Sequence, residues 1–169
     1  MRAFALLVAL LIAPHALGAE AAAVSVEGLA RASDSVVRGR VTKIAATLSA
    51  DRRRVYSLVD VAVAARWRGV SARSVQVIVP GGVAGGIAQR VDGAPSFSQG
   101  EEVVLFLNRA EAGAYRVNGL AQGKFALEGP TAAPDLSHTT FIAQRIAAGE
   151  RRAEAMSTAE LERRVRSVP

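Results

Sequence analysis

Residues 55–67 alternate more strictly than any other stretch of this chain. Val55, Val59, Val61, Val63 and Trp67 fall on one face, with Tyr56, Leu58, Asp60, Ala62 and Arg66 on the other. A period of two over that length predicts a long, half-buried strand, and a strand of that kind requires paired neighbours. Residues 35–44 supply one: Val37, Gly39 and Val41 face one way, Val36, Arg38 and Arg40 the other. Gly39 stands on the inward side, where a missing side chain lets a strand bend or bulge as a small barrel requires. Asp60 is expected to pair across the strands with Arg38 or Arg40. Residues 74–79 form a third strand with Val75, Val77 and Val79 inward, stopped by Pro80, which has no N–H to give a ladder. Polar or glycine-bearing turns at residues 48–54 and 69–73 separate the three.

Residues 103–107 are apolar at every position and therefore need cover on both faces. Short strands at residues 115–118 and 125–128 continue the sheet. Two C-terminal helices are expected, and a short helix or turn before the sheet. Residues 24–33 have Ser25 as cap and Val26, Leu29 and Ala30 as an apolar face. Residues 137–148 carry a stripe of Phe141, Ile142 and Ile146 and end at Gly149. Ser157-Thr158-Ala159-Glu160 fits a capping box, with Leu161, Val165 and Val168 behind it. The C-terminal pair is the natural cover for residues 103–107. The fold class expected is mainly β: a small OB-like Greek-key barrel, or alternatively a compact β-sandwich, with short helices flanking it at both ends. The chain divides into residues 1–19, a barrel over 24–130 and a helical segment over 135–169 packed on it.

Ser33-Asp34-Ser35-Val36-Val37-Arg38-Gly39-Arg40-Val41, followed by a polar gap and a long strand ending in Trp67-Arg68-Gly69, resembles the opening of the tissue inhibitor of metalloproteinase and netrin-module group. The resemblance covers residues 29–80 and implies an OB-type barrel. The later blocks, Val79-Pro80-Gly81-Gly82 and residues 100–107 and 115–125, resemble exported bacterial proteins of uncharacterised function with the same opening. In the inhibitor group an N-terminal Cys chelates the target enzyme's zinc and disulfides hold that end rigid. This chain has no Cys. The resemblance therefore implies the barrel without the chelating mechanism.

Met1 and Arg2 lead into an apolar run over residues 3–13, closed by Pro14 and the small residues Ala16, Gly18 and Ala19. That is the order of a secretory signal peptide, and it predicts a mature chain starting between Ala19 and Ala22 in the periplasm or outside the cell. Pro14 and His15 stop the run short of the ~20 apolar residues of a membrane span. An exported chain without Cys must draw its stability from its core, and it has no thiol for a nucleophile, a thiolate zinc site or a redox motif.

The formal charge is +6, from 21 Lys and Arg against 15 Asp and Glu. Such a balance suits an acidic partner, anionic lipid or nucleic acid. Arg52-Arg53-Arg54, with Arg38, Arg40 and Tyr56, is the candidate polyanion surface. Tyr56 alone does not make a stacking platform, so nucleic acid is the second choice. Gly81, Gly82, Val83, Gly85, Gly86 and Ile87 open a long connection over residues 80–100. They match neither a P-loop nor a dinucleotide spacing, and they are the candidate partner-binding tip, with Phe97 as the buried anchor at the far end. His138 beside Asp135 and Ser137 spells the letters of a hydrolase triad, but neighbours on one short segment rarely converge with an oxyanion site. With the leader removed His138 is the only histidine, and together with the absence of Cys and the scattered carboxylates this calls for no metal and no cofactor. The reading is an exported, non-enzymatic domain that recognises an envelope or secreted protein, with protease inhibition as one version. A polyanion-binding barrel is the alternative, and a hydrolase the third.

Overall fold

The computed structural model describes residues 19–69 and 72–169; the expected leader falls outside them except for its last residue. The chain runs β1 (Ala19–Val24), α1 (Val26–Arg31), β2 (Ser35–Leu48), β3 (Val55–Gly69), β4 (Ser74–Pro80), β5 (Gly82–Ala84), β6 (Ile87–Gln89) and β7 (Glu102–Arg109). It continues with β8 (Tyr115–Val117), β9 (Lys124–Glu128), β10 (Thr131–Ala133), β11 (Thr139–Arg145), β12 (Met156–Ser157) and α2 (Thr158–Arg166).

Five strands close into a barrel. β2, β3 and β4 form an antiparallel meander, and β4 meets β8 in parallel at Val77 and Tyr115. β8 returns antiparallel to β7, and β7 closes the ring on β2. The protein is thus mainly β with an OB-like ring, and closure sets it apart from a sandwich. The upstream edge of β7 is shared: residues 107–109 pair with β8, while residues 103–105 pair with β9, from which β10 and β12 carry the sheet outside the barrel.

This split explains the doubly apolar strand. Val103, Leu105 and Leu107 fill the barrel beside Val37, Val41, Val59, Val61 and Val77. Val104 and Phe106 face outward into a second core with Phe125, under Val26, Leu29 and Ala30 of α1 and Leu161 and Val165 of α2. Ser25 caps α1 by accepting from the Gly28 N–H at 2.9 Å. Ser157 caps α2 in the same way, but Glu160 turns its carboxylate to Arg163 and Arg164, so only half of the expected capping box forms.

Four local expectations are corrected. Residues 139–145 are a strand, pairing in parallel with β1, and not a helix. Trp67 lies in the outer core and not with Val59 and Val61. The β2–β3 register slips between Val36 and Val37 and again between Arg38 and Gly39, and each extra β3 residue reverses the side its successors face. Gly39 lies at the second slip, where a Cβ would meet the Ala62 carbonyl oxygen at 2.4 Å. Asp60 accepts from Gln76 Nε2 at 2.9 Å, while Arg38 and Arg40 pair with Glu102 on β7. Lastly, the connection after Pro80 is not irregular throughout. β5 and β6 form a hairpin whose two loop residues, Gly85 and Gly86, both take positive φ, at 55° and 78°, as a type I′ turn requires.

Candidate functional site

β2 outruns its partner. It pairs with β7 only over residues 35–40, whereas its pairing with β3 continues to Leu48 and Val55. The β2–β3 hairpin therefore projects from the barrel, with residues 42–47 exposed. Its tip is tightly folded: Ser49 N donates to the Arg54 carbonyl at 2.8 Å, and Arg52 N to the Ser49 carbonyl at 2.8 Å. Asp51 accepts from Ser49 Oγ at 2.5 Å and from Arg53 N at 3.1 Å. These two bonds, with the nearby Arg54 charge, hold its carboxyl below the usual carboxylate range. The turn is thereby fixed with Arg52, Arg53 and Arg54 exposed, and among the described residues none of the three forms an ion pair.

The other arginines of the polyanion set stand elsewhere. Arg38 reaches Glu102 at 3.2 Å, and Arg40 reaches it at 2.6 Å while also donating to the Gly100 carbonyl at 2.9 Å. The Arg38 hydrogen bond first, then the two guanidinium charges, keep the Glu102 carboxyl low. Both cations thus share one carboxylate at the barrel wall, which offsets one of the two charges. Tyr56 is half-buried, opposite Thr47 and Pro80 on the outer face of the meander. The structure joins Arg52 to Arg54 and Tyr56 at one end and separates them from Arg38 and Arg40.

The glycine-rich tip comes to that same end. Gly81 N donates to the Val55 carbonyl at 2.8 Å, Ser57 Oγ to the Gly81 carbonyl at 2.9 Å, and Val55 N to Gln89 Oε1 at 2.7 Å. These bonds lay the β5–β6 hairpin across the inner face of the projecting β2–β3 pair. Gly82 permits the approach: a Cβ there would lie 2.7 Å from Ser57 Oγ, at a φ of 131°. Val83 pairs with Ala88 on the solvent side and is 72 % exposed, and Ile87 is 40 % exposed. A shallow trough of about 440 Å³ runs between the two hairpins, lined by Ala46, Thr47, Leu48, Arg52, Ala84 and Gly85.

A second cleft, of about 420 Å³, lies under the connection between Val59, Val79, Gln89, Phe97 and His138. Phe97 packs on the barrel core half-buried, and Lys124 Nζ sits 5.1 Å from its ring centroid while pairing with Glu101 at 2.5 Å. At its rim, Ser137 donates to Asp135 through Oγ at 2.7 Å and through N at 3.1 Å. Those two bonds, then the neighbouring His138 and Lys124, hold the Asp135 carboxyl below the ordinary range. Serine on aspartate, with His138 exposed beside them, is a turn arrangement and not the serine–histidine–aspartate order of a triad. Among the described residues no group of three or more His, Asp or Glu is placed to hold a metal ion. Among the described residues, too, no helix is long and apolar enough to cross a membrane.

Neither trough nor cleft was visible in the sequence. The trough needs the extension of β2 to Leu48, which Ile44-Ala45-Ala46-Thr47-Leu48 has no alternation to announce, and the cleft needs the approach of segments far apart in sequence, from Ile44 to His138. No protein-family model matches the chain, and no curated protein matches it in sequence.

Proposed function

We propose that this chain is an exported, non-enzymatic binding module that engages another envelope or secreted protein through the end formed by the β5–β6 hairpin and the β2–β3 tip. The observation that carries this reading is the exposure of Val83 at 72 % and Ile87 at 40 % beside three arginines with no ion-pair partner among the described residues. Two aliphatic side chains held in water on a short hairpin serve the core little, and an apolar group ringed by cations is a common composition for a recognition surface. Protease inhibition is one version of the reading, suggested by the resemblance over residues 29–80.

A photo-crosslinking residue at Val83 tests it, with the same residue at Arg163 on the exposed face of α2 as control. A protein captured at Val83 and not at Arg163 supports the reading. Capture at neither position, or equally at both, overturns it. Export is tested by intact mass: a mature chain beginning between Ala19 and Ala22 supports it, and one retaining Met1 does not.

The alternative is polyanion binding at Arg52, Arg53 and Arg54, favoured by their shared exposure. It predicts oligonucleotide affinity that falls steeply with salt and is lost on replacing all three by Ala. Arg38 and Arg40 stand on the barrel wall away from the tip and share Glu102, which shortens that surface and places it second.

A further inference from the structure

The distal half of β2 has one paired edge and one bare one. β3 occupies the first as far as Leu48; on the second, β7 ends at Arg40 and Val41 is still bonded to Glu101 and Gly100, so the edge is bare beyond Val41. Which backbone groups lie bare follows from the ladder. Val55 gives its carbonyl to Gly81 N and its N–H to Gln89 Oε1, so Val55 points away from β2 and its partner Leu48 points away from β3. Antiparallel pairs alternate, so Ile44 and Ala46 also turn N–H and C=O to the bare side. Among the described residues no backbone bond reaches them there. Unpaired edges are commonly guarded by proline, by charge or by a covering loop. This one has Lys43 at its start and then Ile, Ala, Ala, Thr and Leu.

The trough between the hairpins meets this edge at Ala46 and Leu48, Ile44 lining the neighbouring cleft, and its walls at Ala46, Ala84 and Gly85 are small enough for a second backbone to approach. Arg52 lines it as well, and the tip that ends it carries three guanidiniums against the single carboxylate of Asp51, already bonded to Ser49 and Arg53. We propose that the bare edge and the trough it runs into form a strand-docking groove, in which an extended acidic segment of the partner pairs with Ile44, Ala46 and Leu48 and sets its carboxylates against Arg52, Arg53 and Arg54. Main-chain hydrogen bonds give affinity in strand addition, and side chains along the groove select the sequence. The inference rests on the proposed function and names the chemistry of its partner. An acidic occupant is favoured over a second copy of this chain because a copy brings the same basic tip.

The test uses the chain as purified from cells that express the full sequence and a fluorescent octapeptide, Glu-Val-Glu-Thr-Glu-Val-Glu-Thr. Controls are the same peptide N-methylated at alternate amides, its Lys-for-Glu counterpart and a twelve-residue oligothymidine. The acidic peptide is expected to bind, with amide exchange slowed at Ile44, Ala46 and Leu48, and binding should fall at least tenfold on N-methylation and on reversing its charge. Ala46→Pro removes a bare N–H without touching a β3 bond and should abolish binding. Arg53→Glu, at the exposed tip, should weaken it at least tenfold and covers the case in which Ala46→Pro fails to fold. Peptide that does not bind, or binds equally when N-methylated, overturns the groove. Oligothymidine bound more tightly than peptide gives the tip to the polyanion reading. A dimer of the chain alone that Ala46→Pro dissociates gives the edge to a second copy. Crosslinking at Val83 without peptide binding leaves the proposed function standing and removes only this inference.

Discussion

β2 is one strand with two environments. Over residues 35–41 it lies between two cores, with Val37 and Val41 inside the barrel and Val36 under the helices. Over residues 42–47 it is exposed throughout, although Ile44, Ala45 and Ala46 are no more polar than the residues before them. What changes is the neighbour. β7 pairs no further than Arg40, the residues just before it hold Val41, and the cover ends there. Burial along a strand is therefore set by where its partners end as much as by its own composition, and the part left uncovered is the part free to bind.

The largest effect that sharpens this contrast belongs to the covered half. Phe106 is fully buried, with its ring centroid 5.9 Å from that of Phe125 at the junction of β7, β9 and the helices. Phe106→Ala should cost about 3–5 kcal/mol, read from urea denaturation. Gly39→Ala should follow at roughly 1–3 kcal/mol, because its Cβ would meet the Ala62 carbonyl and Val61 Cγ1 and force the strands apart where the register slips. Equal losses from Ala45→Ser, in the exposed half, would erase the distinction.

Between these and the tip lies a pH-dependent clamp on α1. Glu150 accepts from Ser25 Oγ at 2.5 Å, from Arg31 and from Ala147 N at 3.1 Å, bonds that take its carboxyl from an ordinary value of 4.5 down to about 2. A carboxyl lowered by folding stabilises the folded state fully above pH 4.5, and that contribution disappears as pH falls toward 2. Glu150→Gln should therefore be less stable than the parent at pH 7, with the gap in thermal midpoint closing in acid. A gap of the same size at pH 7 and pH 3 would remove the clamp.

The halves also differed in what their sequences disclosed. The covered half was legible because burial on both faces writes itself into composition: residues 103–107 announce two cores, and Ser25, Val26, Leu29 and Ala30 announce the helix above one of them. Alternation puts Trp67 with Val59 and Val61, but a bulge reverses facing without leaving a mark in the period. At residues 139–145, Phe141, Ile142 and Ile146 fit a helical stripe, whereas the pairing that makes the segment a strand comes from β1, far away in sequence. At the candidate site, the glycines and arginines could be picked out singly. That they meet at one end follows from the length of a hairpin that no pattern in residues 44–48 reports.

The smallest expected change in stability is at the tip, where the largest change in binding is expected. Val83 faces solvent opposite Ala88, and the bonds that hold its hairpin run through Gly81, Ser57 and Gln89, leaving the Val83 side chain out of every fold contact described above. Val83→Asp should thus shift stability by no more than about 0.5 kcal/mol, the usual range for a surface site. The same change sets a carboxylate in the apolar centre of the proposed surface and repels an acidic partner. Crosslinked product, read from a probe at Ile87, should fall at least tenfold while the urea midpoint stays in place. A protein that loses stability instead would make the hairpin a part of the core and bring the two halves of the comparison together.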